Sequence, residues 1–156
     1  MNLIDVEKIA EELMIKYLNL DWSFKFTNCK KKFGWCHYQR KIIGISKPLS
    51  LLNNYEDVIN VILHEIAHAM VGIGNNHNKV WRNKALEIGC TGNRCYSNAV
   101  LLPHPKFILE CMNCGKIIKM YRKRKYTDTA CYSCCKEFNG GLYSNKYILT
   151  IKKLDN

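Results

Sequence analysis

The sequence predicts an α+β chain: helices with a small antiparallel sheet, followed by a small β module organised around paired cysteines. Three observations lead there. Apolar residues recur at helical spacing in separate segments, and short alternating or apolar runs lie between them. Beyond Pro103 and Pro105, two C-x-x-C pairs appear in a stretch with few large aliphatic side chains. A length of 156 residues suits a catalytic domain of about 100 residues plus a small appendage, and the two prolines suggest units of 1–105 and 106–156.

The first helix rests on Val6, Ile9, Ala10, Leu13, Met14 and Tyr17, which share one face. Acidic residues stand here where a secretory signal carries basic ones, so the segment reads as part of the mature fold. No uncharged apolar stretch approaches the roughly 18 residues of a membrane span. The expectation is a monomer, cytoplasmic or nuclear, neither secreted nor on a membrane. In such a compartment nine cysteines, an odd number, point to metal rather than to disulfides.

Trp22-Ser-Phe-Lys-Phe alternates as a half-buried strand does. A basic turn, Lys30-Lys31-Lys32, leads to Phe33–Tyr38, and Gln39-Arg40-Lys41 leads to Ile42–Ile45. The tight connections predict an antiparallel meander, which Ser46-Lys47-Pro48 breaks. Asn54 then reads as the N-cap of a helix from Tyr55 to about Val71, ending at Gly72 or Gly74. Its apolar residues surround the axis on nearly every side, so it is a buried helix. A further helix over 78–88 presents Trp81, Ala85 and Ile88 on one face and stops at Gly89.

The helix over 55–71 carries His64-Glu65-Ile66-Ala67-His68. Residues four apart on a helix lie about 40° apart in projection, so both imidazoles can address one ion. Glu65 projects about 60° from His68, within reach of an attacking water without being a ligand. Zinc suits this set, with Glu65 as the general base of a metallohydrolase. Two imidazoles and a carboxylate in a buried helix are costly unless something satisfies them. A catalytic zinc takes a third protein ligand, and His77 and Glu87 are the candidates. His77, opening the next helix, can swing back over the preceding one, whereas Glu87 lies in an ALEIG stretch that reads as a helix end. Tyr96 is among several tyrosines that could help hold an oxyanion. His37 and His104 are isolated and read as ordinary histidines.

The order FGWCHYQRKIIGIS, HEIAHAMVG, then HNKVW and KALEIGC resembles the SprT-like (Spartan-like) zinc metallopeptidases. In that family a histidine opens the helix after HExxH and an aromatic follows four residues later; here these are His77 and Trp81. Asn78 stands where the family pattern has glycine. The resemblance implies a zincin-like metallopeptidase domain, repair of DNA–protein crosslinks as the task, and DNA binding that gates proteolysis. Some members carry a zinc ribbon behind the peptidase domain. Larger members carry a long partner-binding tail, and none is expected of a chain that ends soon after its ribbon.

Cys111-Met-Asn-Cys114 and Cys131-Tyr-Ser-Cys134, separated by 16 residues, suit a structural zinc ribbon, with Gly115 easing the first turn. Cys135 is an alternative to Cys134 as ligand. Cys90 and Cys95 are too loosely spaced for a knuckle and read as structural, with Cys29 and Cys36 packed in or beside the meander. Two zinc ions, one catalytic and one structural, are thus expected. The net charge of +11 is uneven: residues 1–105 carry +4 and residues 106–156 carry +7. Lys116, Lys119, Tyr121, Arg122, Lys123, Arg124, Lys125 and Tyr126 form a strand leading into a basic hairpin tip. Its cations can meet phosphates and its tyrosines can stack on bases, making DNA the expected partner. A solvated hairpin with packed tyrosines is the plainer reading. The composite expectation is a zinc endopeptidase acting on DNA-bound or crosslinked proteins. Two alternatives remain: a catalytically idle, zinc-containing DNA-binding or transcription-associated protein, and a peptidase without a nucleic-acid partner.

Overall fold

A computed structural model describes residues 1–95, 99–123 and 128–154. It is α+β, and the chain forms two compact units, Met1–Pro103 and His104–Asn156.

The first unit opens with α1, Leu3–Tyr17, capped by the Asn2 side chain, which accepts from the Ile4 N–H. Val6, Ala10 and Met14 are its buried stripe. Three strands follow: β1, Ser23–Thr27; β2, Gly34–His37; and β3, Ile42–Ser46. Their order is β1-β3-β2, with β1 parallel and β2 antiparallel to β3. The expected antiparallel meander is therefore wrong in its pairing. The run Ile42-Ile43-Gly44-Ile45-Ser46 is buried at every position. A strand apolar on both faces belongs in the middle of a sheet, so β3 takes the centre and β1 and β2 become the edges. Trp35 is paired with Gly44 across β2 and β3. A Cβ at Gly44 would stand 2.1 Å from the Trp35 indole, so only glycine accommodates the ring there.

Ser46-Lys47-Pro48 does not simply break the pattern; it starts a short helix. Ser46 Oγ accepts from the Leu49 N–H, and proline sits in the first turn of α2, Lys47–Leu52. Helix α3, Tyr55–Val71, begins under the Asn54 cap and ends at Gly72, whose φ of +76° suits glycine. Helix α4, Lys79–Glu87, is capped by Asn78, which accepts from the Trp81 N–H. Trp81, Ala85 and Ile88 are buried, as their spacing predicts. Helix α3 packs against α1, α4, β2 and β3, making it the central element of this unit.

The second unit has an antiparallel sheet of order β5-β4-β6, from β4, Phe107–Cys111; β5, Ile117–Met120; and β6, Leu149–Lys153. Between β5 and β6, where the sequence suggested only short strands, lies α5, Tyr132–Phe138, followed by a single 3-10 turn over Asn145–Tyr147. A C-x-x-C pair at a helix start puts residues three apart on one face, so a helix brings its sulfurs together as well as a hairpin turn does.

Candidate metal centres

The first centre is built on α3 and the entry to α4. One helical turn separates His64 and His68, and the turn over residues 72–78 returns His77 to them. The Nε2 of His77 lies 3.0 Å from that of His64 and 3.1 Å from that of His68. Tetrahedral zinc with Zn–N bonds of about 2.0–2.1 Å separates two ligand nitrogens by about 3.3 Å, so the triad fits such an ion closely. Trp81 backs all three rings, with centroid distances of 4.7 Å to His64, 5.1 Å to His68 and 4.6 Å to His77. The His68 ring stacks on the indole at an interplanar angle of 28°, and among the described residues its buried Nδ1 has no hydrogen-bond partner. Packing on Trp81, rather than a second hydrogen bond, orients that imidazole.

The electrostatics favour ligands over cations. Burial holds His64 down at about 3, helped by His68 and His77 and opposed by a backbone hydrogen bond with Asn93. Burial, then His77, lowers His68 to about 4. His77 is lowered by burial and by the charge of Arg94. All three are thus neutral near pH 7, the state that binds a metal.

Glu65 is 7% exposed, and among the described residues no hydrogen bond reaches its carboxyl. Burial pushes it up to about 8, against the pull of Lys32. Its position depends on a residue that periodicity did not single out. A Cβ on Gly34 would lie 2.7 Å from both Cγ and Oε1 of Glu65, so the bare backbone at the start of β2 forms the wall behind the carboxylate. His64, Glu65, His68 and His77 line one cleft of about 790 Å³, with Gly34, Trp35, Cys36 and Tyr38 of the β2 side opposite α3.

The second centre lies in the second unit. Cys111 ends β4, Cys114 sits in the following turn, Cys131 precedes α5 and Cys134 is in its first turn. The four sulfurs lie within 4.8 Å of one another. Cys111 and Cys134 sulfurs are 3.7 Å apart, as are those of Cys114 and Cys131. Tetrahedral Zn–S bonds of about 2.3 Å require about 3.8 Å, whereas a disulfide requires about 2.05 Å. Gly115 takes φ +69° and its N–H donates to the Cys111 carbonyl at 2.8 Å, closing the first knuckle. Burial would raise the Cys111 thiol, but backbone N–H groups of Cys114 and Asn113, together with the Cys114 and Cys134 side chains, lower it to about 7. Cys135 is buried beside this cluster but outside it.

The SprT-like family model matches residues 6–100, well over half of the chain. The chain belongs to the SprT-like family. No curated protein and no solved structure matches it. The family match stops short of the cysteine cluster, which lies wholly in the second unit of this SprT-like protein.

The remaining candidate residues fall in several places. Glu87 is not at the histidine centre; it is exposed and ion-paired with Lys84 at 2.6 Å. His37 lies on β2, where its Nδ1 accepts from the Arg40 N–H. Cys90 is buried with its thiol facing the Asn60 carbonyl at 3.7 Å, whereas Cys95 is exposed in the cleft lining. Cys36 is on β2, its thiol pushed up to about 12 by burial and by Glu65. Lys116, Lys119, Arg122 and Lys123 are exposed, with Lys116 donating to Ser133 Oγ at 3.1 Å, and Tyr121 is half-buried. Arg124, Lys125, Tyr126 and Tyr96 lie outside the described residues. Among the described residues no helix is long and apolar enough to cross a membrane.

Proposed function

We propose that this SprT-like protein is a zinc-dependent endopeptidase acting on DNA-associated proteins, with repair of DNA–protein crosslinks as its task. The observation that carries the proposal is the convergence of three neutral imidazole nitrogens in a cleft shared with a buried carboxyl. His64, His68 and His77 would hold zinc, which polarises the scissile carbonyl and makes water a nucleophile near neutral pH. Glu65 accepts a proton from the attacking water at a carboxylate oxygen and returns it to the leaving amine. Its burial brings its proton affinity into the range where both transfers are accessible.

Strand β2 lines the cleft and, among the described residues, has a strand on one side only. A substrate segment can add to that edge through main-chain hydrogen bonds, which hold many sequences alike. A protease of that kind needs another source of selectivity, and confinement on DNA supplies one by raising the local substrate concentration. The second unit offers the means. Four cysteines that would hold a second, structural zinc tie down a sheet whose outer face carries Lys119 and Lys152 on either side of Ile108, with Lys116, Arg122 and Lys123 close by in the chain.

The test is incubation of the zinc-loaded chain with a DNA-binding protein that has both acidic and basic stretches, with and without DNA and with and without chelator. Cleavage should require metal and rise with DNA. Glu65→Gln should lower it by about 10²–10⁴-fold while zinc content and DNA affinity stay level. Undiminished cleavage by that variant would sink the mechanism. DNA binding by a chain that never cuts would favour a catalytically idle binding protein.

A further inference from the structure

The residues around the histidine centre are unequal in charge. Lys31, Lys32 and Arg94 line the cleft, and all three are exposed. The only carboxylate among the described lining residues is Glu65, which is buried and assigned to the chemistry. Neither Lys32 nor Arg94 is ion-paired to a described residue. Both are near the centre: the charge of Lys32 is felt at Glu65 and that of Arg94 at His77. A divalent ion on the three histidines would add to the same sign. Fields of one sign are focused inside a cleft with low-dielectric walls, so the segment that enters meets a positive potential on more than one side.

We infer that this cleft selects peptide segments bearing aspartate or glutamate beside the bond to be cut, with Lys32 and Arg94 as the specificity-determining cations. The inference rests on the peptidase reading above and names its substrate class. A peptide is the polyanion that the geometry favours. A cleft of about 790 Å³ is of the size that takes a short segment, and a duplex is too wide to bring a phosphate that close to Glu65 and His77. DNA-associated proteins would then be cut in their acidic stretches, and a lysine-rich tail would be a poor occupant even when held nearby.

The experiment uses the full zinc-loaded chain and three fluorogenic peptides that differ only beside the scissile bond, in Asp/Glu, Ala or Lys. The expected order of kcat/KM is acidic, neutral, basic, with about a tenfold span at low salt that shrinks several-fold as salt rises. Lys32→Glu and Arg94→Glu should each collapse or invert the acidic-to-basic ratio, a quantity independent of how much active protein each preparation holds. If either variant fails to fold, the salt dependence of the wild-type ratio still decides. Equal cleavage of acidic and basic peptides at low salt overturns the inference. So does a short single-stranded oligonucleotide that competes through Lys32 and Arg94 while the peptide ratio stays unmoved by both reversals. If no peptide is cut, the peptidase reading itself falls. Fluorescence anisotropy of the same peptides on Glu65→Gln then reports the preference alone, and equal affinities would refute it.

Discussion

The first unit and the second offer metal ligands from opposite starting points. Among the described residues, the first buries a cluster of eighteen that includes Trp81, Phe33 and five isoleucines. Its histidines are guests on a helix that hydrophobic burial already holds in place. The second buries eight, and four of these are Cys111, Cys131, Cys134 and Cys135. There three of the ligands, Cys111, Cys131 and Cys134, are themselves much of the core. A metal on the first unit would therefore be an addition to a fold, and a metal on the second would be a condition for one.

The strongest test of that contrast is chelation. Stripping metal should unfold the second unit, because a structural zinc contributes on the order of 10 kcal/mol in small modules. The first unit should keep its dispersed amide resonances in the same NMR spectrum, and joint collapse of both sets would erase the contrast. Trp81→Ala probes the other side. Loss of a fully buried tryptophan should cost about 3–5 kcal/mol even with zinc present, read as a lower denaturation midpoint of the first unit. Because Trp81 also backs three imidazoles, zinc affinity at that centre should fall too.

Gly34→Ala sharpens the picture within the first unit. The added methyl must displace the Glu65 side chain, so kcat should fall by about tenfold or more. Zinc content should hold, since the atoms nearest the added methyl belong to Glu65 and Val61 and not to the three histidines. An unchanged kcat would mean that Glu65 has room to relocate.

The smallest effect is a pH dependence of the metal-free first unit. His64 and His68 titrate at about 3 and about 4 when folded and near the ordinary 6.5 when unfolded. The unfolded chain binds more protons between these values, so their contribution is lost as pH falls below about 6.5. Glu65 is raised from 4.5 to about 8, so its contribution is present at low pH and lost as pH rises through 8. The opposing slopes cross at about pH 6.5, where urea midpoints of the apo unit should peak. Zinc should steepen the acid side of the profile, because protons compete with the metal for His64, His68 and His77.

Much of this arrangement was legible in the sequence because it is local. Asn54 and Gly72 act as caps through atoms three or four residues away, and the projection of His64 on His68 follows from helical geometry alone. The choice of His77 over Glu87 was half legible: spacing permitted both, and the turn after Gly72 decided it. The parallel pairing of β1 with β3 departs from the meander that the short connections suggest, although the uninterrupted apolar run of β3 is its signal. Cys134 and Cys135 are adjacent in sequence, and only the rotation of α5 points one sulfur into the cluster.

By itself the sequence determined α1, α3 and α4, most of the two sets of ligand residues and the division of labour between aliphatic and cysteine cores. These depend on period and composition. Tertiary structure alone decided that Gly34 stands behind Glu65, that Trp35 lies over Gly44, and that Lys32 and Arg94 share one cleft. Each of those contacts joins residues brought together by packing across the core, where no local periodicity carries a record of the partner.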